Sequence, residues 1–393
     1  MTSIDFQIDQ AAFSDALDTV RRAASGKSSL PILETIRIEA IGGEVILGAT
    51  DLQVYIAARV AATVAVEGAL AIPARALVDW VRALPTGTVR LALTTKATRV
   101  RASSGRSTAA LVFFDVDDFP SPPTTATAVE LAVDARRLRR ALGRVLPAVR
   151  ADDGHPALGS VCLTPGADGL RLAAADGSRL AQTVVPEAVS ASADPVLLPR
   201  RAAEEFARIL GAGDVARLLI GEGRNAARLA VGRYEVFARL VEGGFPEVAQ
   251  IIPQRAVTRI AVEVQGLRRA LKLASFFGTG GQHPVVFDAA PGRLRLHAPD
   301  AGVGESETEL EAAFEGRPGR IVVDVPLLAE LLREADAPVV TLAWENTTRP
   351  VVIREVADGG VRADDLWIVM PMRHAAVADV APTAEETALP QAA

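Results

Sequence analysis

One pattern returns three times along the 393-residue chain, at a spacing of about 125 residues, so any fold assigned to it has to be built three times over. Four landmarks mark each copy. The first is a strand entering a helix: Phe6-Gln-Ile-Asp9 precedes Phe13, Ala16 and Leu17, Leu131-Ala-Val-Asp134 precedes Leu138, Ala141 and Leu142, and Ile260-Ala-Val-Glu263 precedes Leu267, Ala270 and Leu271. Apolar residues at i, i+3 and i+4 make one buried helical stripe, and the acidic residue falls where a helix N-terminus favours negative charge. A second helix is introduced by Ile72-Pro73, Leu198-Pro199 and Val323-Asp324, and carries Leu77 and Trp80, Ala203 and Phe206, and Leu328 and Leu331. The third landmark is an Asp in a turn between strands, at Asp51, Asp176 and Asp300. Each copy closes with a strand running into proline, at Phe119-Pro120, Phe245-Pro246 and Met370-Pro371.

Between the landmarks lie β-branched runs such as Val351-Val-Ile353, separated by Gly-containing turns. The unit is therefore α+β, two helices packed on antiparallel sheet, in three tandem copies. Pro- and Thr-rich residues Ser121 to Ala128 and the stretch Pro253 to Val257 place the domains at 1–122, 129–253 and 256–374. Hydrophobic residues make up 49% of the chain and aromatics only 4%, so the cores must be built from Leu, Val, Ile and Ala.

Several function classes fall away. Gly26-Lys27-Ser28 looks like the end of a phosphate-binding loop, but the earlier glycine that such a loop needs is Arg21, and a helix rather than a strand precedes it. Gly221-Glu-Gly223 and Gly278-Thr-Gly-Gly281 lack dinucleotide-binding spacing. His155, His283, His297 and His374 have no metal-ligand spacing with one another or with Cys162, and Cys162 lies in an apolar run that reads as core. Neither a catalytic constellation, a metal nor a cofactor is expected. A single cysteine excludes an intramolecular disulfide, and the start of the chain lacks the charged and apolar regions of a signal peptide. Apolar stretches such as Val45 to Ala49 fall well short of the ~20 residues of a membrane helix, so a cytoplasmic protein is expected.

Local motifs add a resemblance that spans residues 1 to about 374 in register. Lys27-Ser-Ser-Leu-Pro-Ile-Leu33, Ala49-Thr-Asp-Leu52, Ala175-Asp-Gly-Ser-Arg-Leu180 and Trp367-Ile-Val-Met-Pro-Met-Arg373 resemble segments of the β sliding clamp family of bacterial DNA polymerase III. The resemblance implies a head-to-tail homodimer, a six-domain ring with helices lining the hole. A geometric estimate agrees: twelve helices about 10 Å across leave an opening of roughly 28 Å and six leave roughly 9 Å, against a duplex of about 20 Å. It also implies sequence-independent binding of double-stranded DNA, a replicative polymerase catalytic subunit, a clamp loader and other proteins with clamp-binding motifs as partners, and residence at the nucleoid. An accessory or diverged clamp, acting as a peptide-binding scaffold without a primary replication role, is the alternative.

Net charge is −6, yet the helices assigned to the hole carry Arg21 and Arg22, Arg75 and Arg82, Arg136, Arg137, Arg139, Arg140 and Arg144, Arg200, Arg201 and Arg208, Arg268, Arg269 and Lys272, and Arg333. Such a separation lets an acidic protein present a positive channel, and phosphate-directed Arg and Lys hold DNA without reading bases. By resemblance, Lys27 is a further DNA contact.

The resemblance also implies an apolar groove between the second and third domains that takes a partner's peptide. Leu158, Gly177, Arg179 and Leu180 match it first, Pro246, Ile251 and Pro350 next, and Val369, Met370, Pro371 and Met372 complete it. Apolar walls and adaptable Met accept varied side chains, while Arg179 orients the peptide. Ala175, Ser178 and Gln250 depart from the family pattern. At the implied dimer seam Phe276-Phe277 faces the strand with Ala109 and Leu111, bulk on one side and a small residue on the other. Residues 375–393, Ala-rich with Glu385 and Glu386, read as a disordered tail beside the groove.

Overall fold

A computed structural model describes residues 3–373, apart from residues 96, 124–125, 152–153, 189–193, 279–282, 301, 303, 358–359 and 363–364. The expected tail at 375–393 lies outside the described residues.

Seven α-helices are formed: α1 (Gln10–Val20), α2 (Ala74–Ala83), α3 (Ala135–Val145), α4 (Arg200–Ile209), the single turn α5 (Val248–Ile251), α6 (Val264–Ala274) and α7 (Val325–Leu332), counted among the described residues. The six long ones pack in pairs, α1 with α2, α3 with α4 and α6 with α7, one pair per repeat. Their expected stripes are buried: Phe13, Ala16, Leu17 and Val20 on α1, Leu138, Ala141, Leu142 and Val145 on α3, and Leu267, Ala270, Leu271 and Ala274 on α6. Each of these three helices is opened by the expected acid acting as N-cap. Asp9, Asp134 and Glu263 accept from the amides of Ala12 (2.9 Å), Arg137 (2.9 Å) and Gly266 (3.1 Å), satisfying a donor the helix leaves without a partner. Pro73 and Pro199 stand at the cap position before α2 and α4 rather than inside them.

The chain divides into two compact units: residues 1–146 with 152–172 and 185–244, and residues 147–151 with 173–184 and 245–393. In the first unit an antiparallel sheet runs through the strands Ser107–Leu111, Val100–Ser104, Thr88–Leu93, Ile4–Asp9, Val54–Val66, Tyr234–Arg239, Ala226–Val231, Val215–Gly221 and Thr127–Asp134, in that spatial order. The first repeat thus joins the second edge to edge, through Val54–Val66 against Tyr234–Arg239. The second unit repeats the device, with Arg179–Val185 against Leu366–Val369, next to Val351–Ala357, Val339–Trp344 and Thr258–Glu263. A separate four-stranded sheet in that unit has the order Gly304–Glu311, Arg293–Asp300, Pro284–Ala290, Gly319–Asp324.

The two joints match bond for bond at a spacing of about 125 residues. Asp51 Oδ1 accepts from the amides of Gln53 (3.0 Å) and Val54 (2.8 Å), and Asp176 Oδ1 from those of Ser178 and Arg179 (both 2.9 Å). The Arg239 amide donates to the Gln53 carbonyl at 3.0 Å and the Met370 amide to that of Ser178 at 2.7 Å. Val241 donates to Leu197 at 2.9 Å and Met372 to Val322 at 2.8 Å. Even the turn backbone is shared: Gly177 has φ 94° and Leu52, in its place, φ 74°, a left-handed conformation that suits glycine and strains leucine.

Two landmarks differ from expectation. Asp300 ends the strand Arg293–Asp300 instead of sitting in a turn. Only Leu366–Val369 runs as a strand into proline; Phe119 and Phe245 lie in turn and loop, because there the chain leaves one repeat for the next. Phe119 is nonetheless buried, with its ring edge-on to Tyr55 at 6.4 Å, and Tyr55 meets Phe237 of the second repeat in the same way at 5.9 Å.

Candidate functional site

The basic helices are unequal. Counting ionised side chains within the helices, α1 and α2 together carry a net −1, α3 and α4 +6, and α6 and α7 +2. The first pair is thus the least basic: Asp15, Asp18 and Asp79 outweigh Arg75 and Arg82 until Arg21 and Arg22, which directly follow α1, are counted. Arg21 and Arg22 belong to a 3₁₀ turn after α1. Arg82 and Arg21 both approach Asp18, the latter at 3.6 Å, and Arg75, almost fully exposed, lies 3.7 Å from Asp79.

On α4 most of the charge is consumed locally. Glu205 has no exposed surface, and three guanidinium groups close on it: Arg22 Nε donates to Oε2 at 2.9 Å, Arg201 Nη1 to Oε1 at 2.5 Å, and Arg208 also to Oε1. Arg201 further lies 3.6 Å from Asp51 of the first joint, and Arg200 pairs with Glu204 at 3.0 Å. These side chains serve the joint between the first two repeats before they serve a ligand. Arg144 of α3 is buried, unlike its expected place on an exposed basic face. Arg136, Arg137, Arg139 and Arg140 on α3 are exposed. Arg136 reaches Asp214 only at 3.5 Å, while Arg137 is paired with Glu187. Lys27 is exposed in its loop.

On α6, neighbouring arginines do different work. Arg268 Nε donates to the Leu332 carbonyl at 2.9 Å, and its Nη2 to those of Arg333 at 3.1 Å and Ala335 at 3.0 Å. It satisfies the carbonyls that α7 leaves open at its C-terminus. The buried Glu355 holds the same exit from the other side, accepting from the amides of Asp336 (2.5 Å) and Ala337 (3.0 Å). Arg269 projects outward, 3.7 Å from Glu263. Arg268→Ala is accordingly expected to lower stability by about 1–2 kcal/mol, and Arg269→Ala by no more than about 0.5 kcal/mol, as urea-unfolding midpoints will report.

Around the second joint the residues expected for a groove differ in exposure. Leu180, Pro350 and Val369 are buried, Met370 is 38% exposed, and Ile251, Pro371 and Met372 are half-buried. Pro246 and Gly177 are exposed. Leu158 is half-buried in the first unit. Arg179 is engaged: Nε donates to Asp176 Oδ2 at 2.9 Å, and Nη1 to Glu330 Oε2 at 2.6 Å and to the Leu327 carbonyl at 3.4 Å. Neither Glu330 nor this clasp was visible in the sequence, because the partners are 151 positions apart.

Sheet edges form the third feature. Ser107–Leu111 ends the long sheet of the first unit, with Ala109 and Leu111 half-buried. Arg99, Arg101 and Arg106 are exposed beside it, and among the described residues no carboxylate lies within ion-pairing distance of them. Gly304–Glu311 ends the four-stranded sheet of the second unit and sets Glu305, Glu307, Glu309 and Glu311 on its exposed face. Phe276 is 64% exposed just past α6, with the Lys272 ammonium 5.1 Å from its ring centre, and Phe277 is half-buried.

Cys162 is buried and its thiol is pushed up by that burial, the signature of packing rather than of a nucleophile. Among the described residues no His, Cys, Asp and Glu cluster could hold a metal ion, and no helix is long and apolar enough to cross a membrane.

Paired helices on antiparallel sheet, repeated three times with joints made edge to edge, define a DNA-clamp fold. Sequence models of the DNA polymerase III beta subunit match almost the whole chain: its N-terminal domain over residues 4–123, its central domain over 132–247 and its C-terminal domain over 249–373. The chain belongs to this family, the bacterial beta sliding clamps. It is 26% identical over 369 residues to the beta sliding clamp of Escherichia coli K12, covering 94% of this chain and 99% of that one. To the beta sliding clamp of Caulobacter vibrioides NA1000 it is 25% identical over 373 residues, covering 93% and 99%. The crystal structure of the DNA polymerase sliding clamp from Bacillus subtilis shares the fold with a TM-score of 0.89 at 21% identity, over 95% of this chain and 100% of that one.

Proposed function

We propose that two copies of this chain close head to tail into a ring of six domains around duplex DNA, with domain limits at 1–122, 129–253 and 256–374. The ring acts as a non-catalytic processivity factor in the cytoplasm, at the nucleoid. A clamp loader places it on DNA, and it tethers the catalytic subunit of a replicative polymerase and other proteins through a peptide groove at the second joint.

The observation that carries the ring is the pair of sheet edges. Ser107–Leu111 is flanked by arginines that make no ion pair among the described residues, and Gly304–Glu311 carries a row of glutamates, three of which approach Arg293, Arg295 and His297 of the neighbouring strand. An exposed edge is a template for another strand, and in this reading the first edge of one copy meets the second edge of the next. Such a heterologous contact closes into a ring when its rotation permits. Phe276 and Phe277 pack against Ala109 and Leu111 in this reading. Phe276→Ala is expected to raise the dimer dissociation constant ten-fold or more, measured by sedimentation equilibrium; unchanged dimerisation removes Phe276 from the seam.

Of the basic residues, Arg21, Arg22, Lys27, Arg75, Arg82, Arg136, Arg137 and Arg140 face DNA in this assembly, with Arg200, Arg201, Arg268, Arg269 and Lys272 completing the lining. Met370, Met372, Pro246 and Ile251 form the wall of the groove over a floor of Leu180, Pro350 and Val369. The deciding experiment uses closed circular DNA and the cognate loader. Protein retained on the circle and released when the circle is cut is a sliding clamp. Protein that never becomes retained is not.

A further inference from the structure

The sheet across the second joint leaves one guanidinium without a carboxylate. Arg179 reaches Glu330 of α7 at 2.6 Å, so Leu180, the next residue, lies on the face away from that helix. The strand register extends this face: Leu180 pairs with Ile368 and Ile368 with Val352, and all three are buried. Arg354 stands two residues beyond Val352 on the same face, directly opposite Thr341. It is half-buried, and among the described residues no carboxylate pairs with it. Glu315 is engaged by Arg259 at 3.2 Å. Burial first, and the Arg259 guanidinium second, push Arg354 down from its ordinary value, since both penalise the charged form. The corresponding face of the first joint carries the row Tyr55, Phe237, Arg228. There the guanidinium is compensated, by Glu235 at 2.7 Å and by the Phe237 ring, whose centre is 5.2 Å away. The first joint answers its arginine from within the chain, and the second does not.

We infer that Arg354 is a specificity-determining residue of the peptide groove at the second joint: its guanidinium takes a side-chain carboxylate of the partner, so peptides bearing an acid are preferred. This rests on the reading of Leu180 as part of the groove floor. The planar fork of N–H donors matches a carboxylate with two parallel bonds. A binding residue of this kind is held at some cost to the fold, which a ligand then offsets.

The test uses two pools of synthetic decapeptides containing Leu and Phe, identical except for Asp in one and Asn in the other, with binding to the full chain followed by fluorescence anisotropy. The wild type is expected to bind the Asp pool about five-fold tighter than the Asn pool, as suits one charged hydrogen-bonded contact in part exposed to water. In Arg354→Gln and in Arg354→Met the ratio is expected to fall to about one. Arg354→Met keeps the apolar stem and removes the uncompensated charge, so it is also expected to raise the urea-unfolding midpoint. A ratio that stays near five in both variants overturns the inference, and so does a lower midpoint for Arg354→Met, which would mean that the guanidinium serves the fold. A wild-type ratio of one, with Met370→Ala weakening both pools, overturns the inference and leaves the groove standing. Binding of neither pool to the wild type, or binding indifferent to Met370→Ala, overturns the groove reading and the inference with it.

Discussion

Glu205→Ala is expected to lower the stability of the first unit by about 3 kcal/mol, the largest loss of any single ionic substitution in it. The carboxylate has no exposed surface and receives Arg22 from the turn after α1 and Arg201 and Arg208 from its own helix. Removing one member of a buried ion network typically costs about 3–5 kcal/mol, because the remaining charges lose their compensation. The lower end applies here, since the three guanidinium groups are 31%, 35% and 48% exposed and regain some hydration when released. Three like charges are then left within reach of one another at the joint of two repeats. Glu205→Gln keeps the volume but not the charge and should lose nearly as much. Glu204→Ala, on the exposed side of the same turn, should change stability by less than about 1 kcal/mol. Urea unfolding followed by circular dichroism measures all three. Equal midpoints for the Glu204 and Glu205 variants would sink the account of the cluster.

That cluster also marks where sequence reasoning stopped. The stripes of α1, α3 and α6 were legible because a helix buries i, i+3 and i+4 whatever surrounds it, and the caps Asp9, Asp134 and Glu263 because a helix N-terminus needs an acceptor within three residues. Both are local rules. The fate of an arginine is not local: Arg22 finds Glu205 across 183 positions, and Arg268 finds the end of α7 across 64 or more. A run of basic residues therefore reads the same whether it faces solvent, caps a helix or closes a joint. The residues expected for the groove divide similarly. Period-two patterns put Leu180 and Val369 equally on either face of their strands, and only the pairing of Arg179–Val185 with Leu366–Val369 decides that they are buried while Met370 stays exposed.

If the ring encloses DNA, replacing Arg136, Arg137 and Arg140 together by alanine should weaken it more than any other triple substitution on the helices. α3 carries five arginines and no acid, and these three are exposed. The ion pair of Arg136 is long at 3.5 Å, and both it and Asp214 are more than four-fifths exposed, so exchanging that carboxylate for a phosphate gains nearly a whole charge contact. Each phosphate contact adds about 0.9 to the slope of log affinity against log salt. Loss of three should flatten that slope by about 2.5 and reduce affinity for a short duplex ten-fold or more at physiological salt, with no dependence on base sequence. Arg75→Ala with Arg82→Ala is the informative contrast. Those two residues sit on a helix pair of net charge −1 and have Asp79 and Asp18 beside them, so their loss should flatten the slope by less than about 1. Fluorescence anisotropy of a labelled duplex across a salt series measures both slopes. Similar slopes for the two variants would mean that DNA is held evenly around the opening; the unequal result places its phosphates on the second repeat, with the first acting mainly as a spacer that closes the ring.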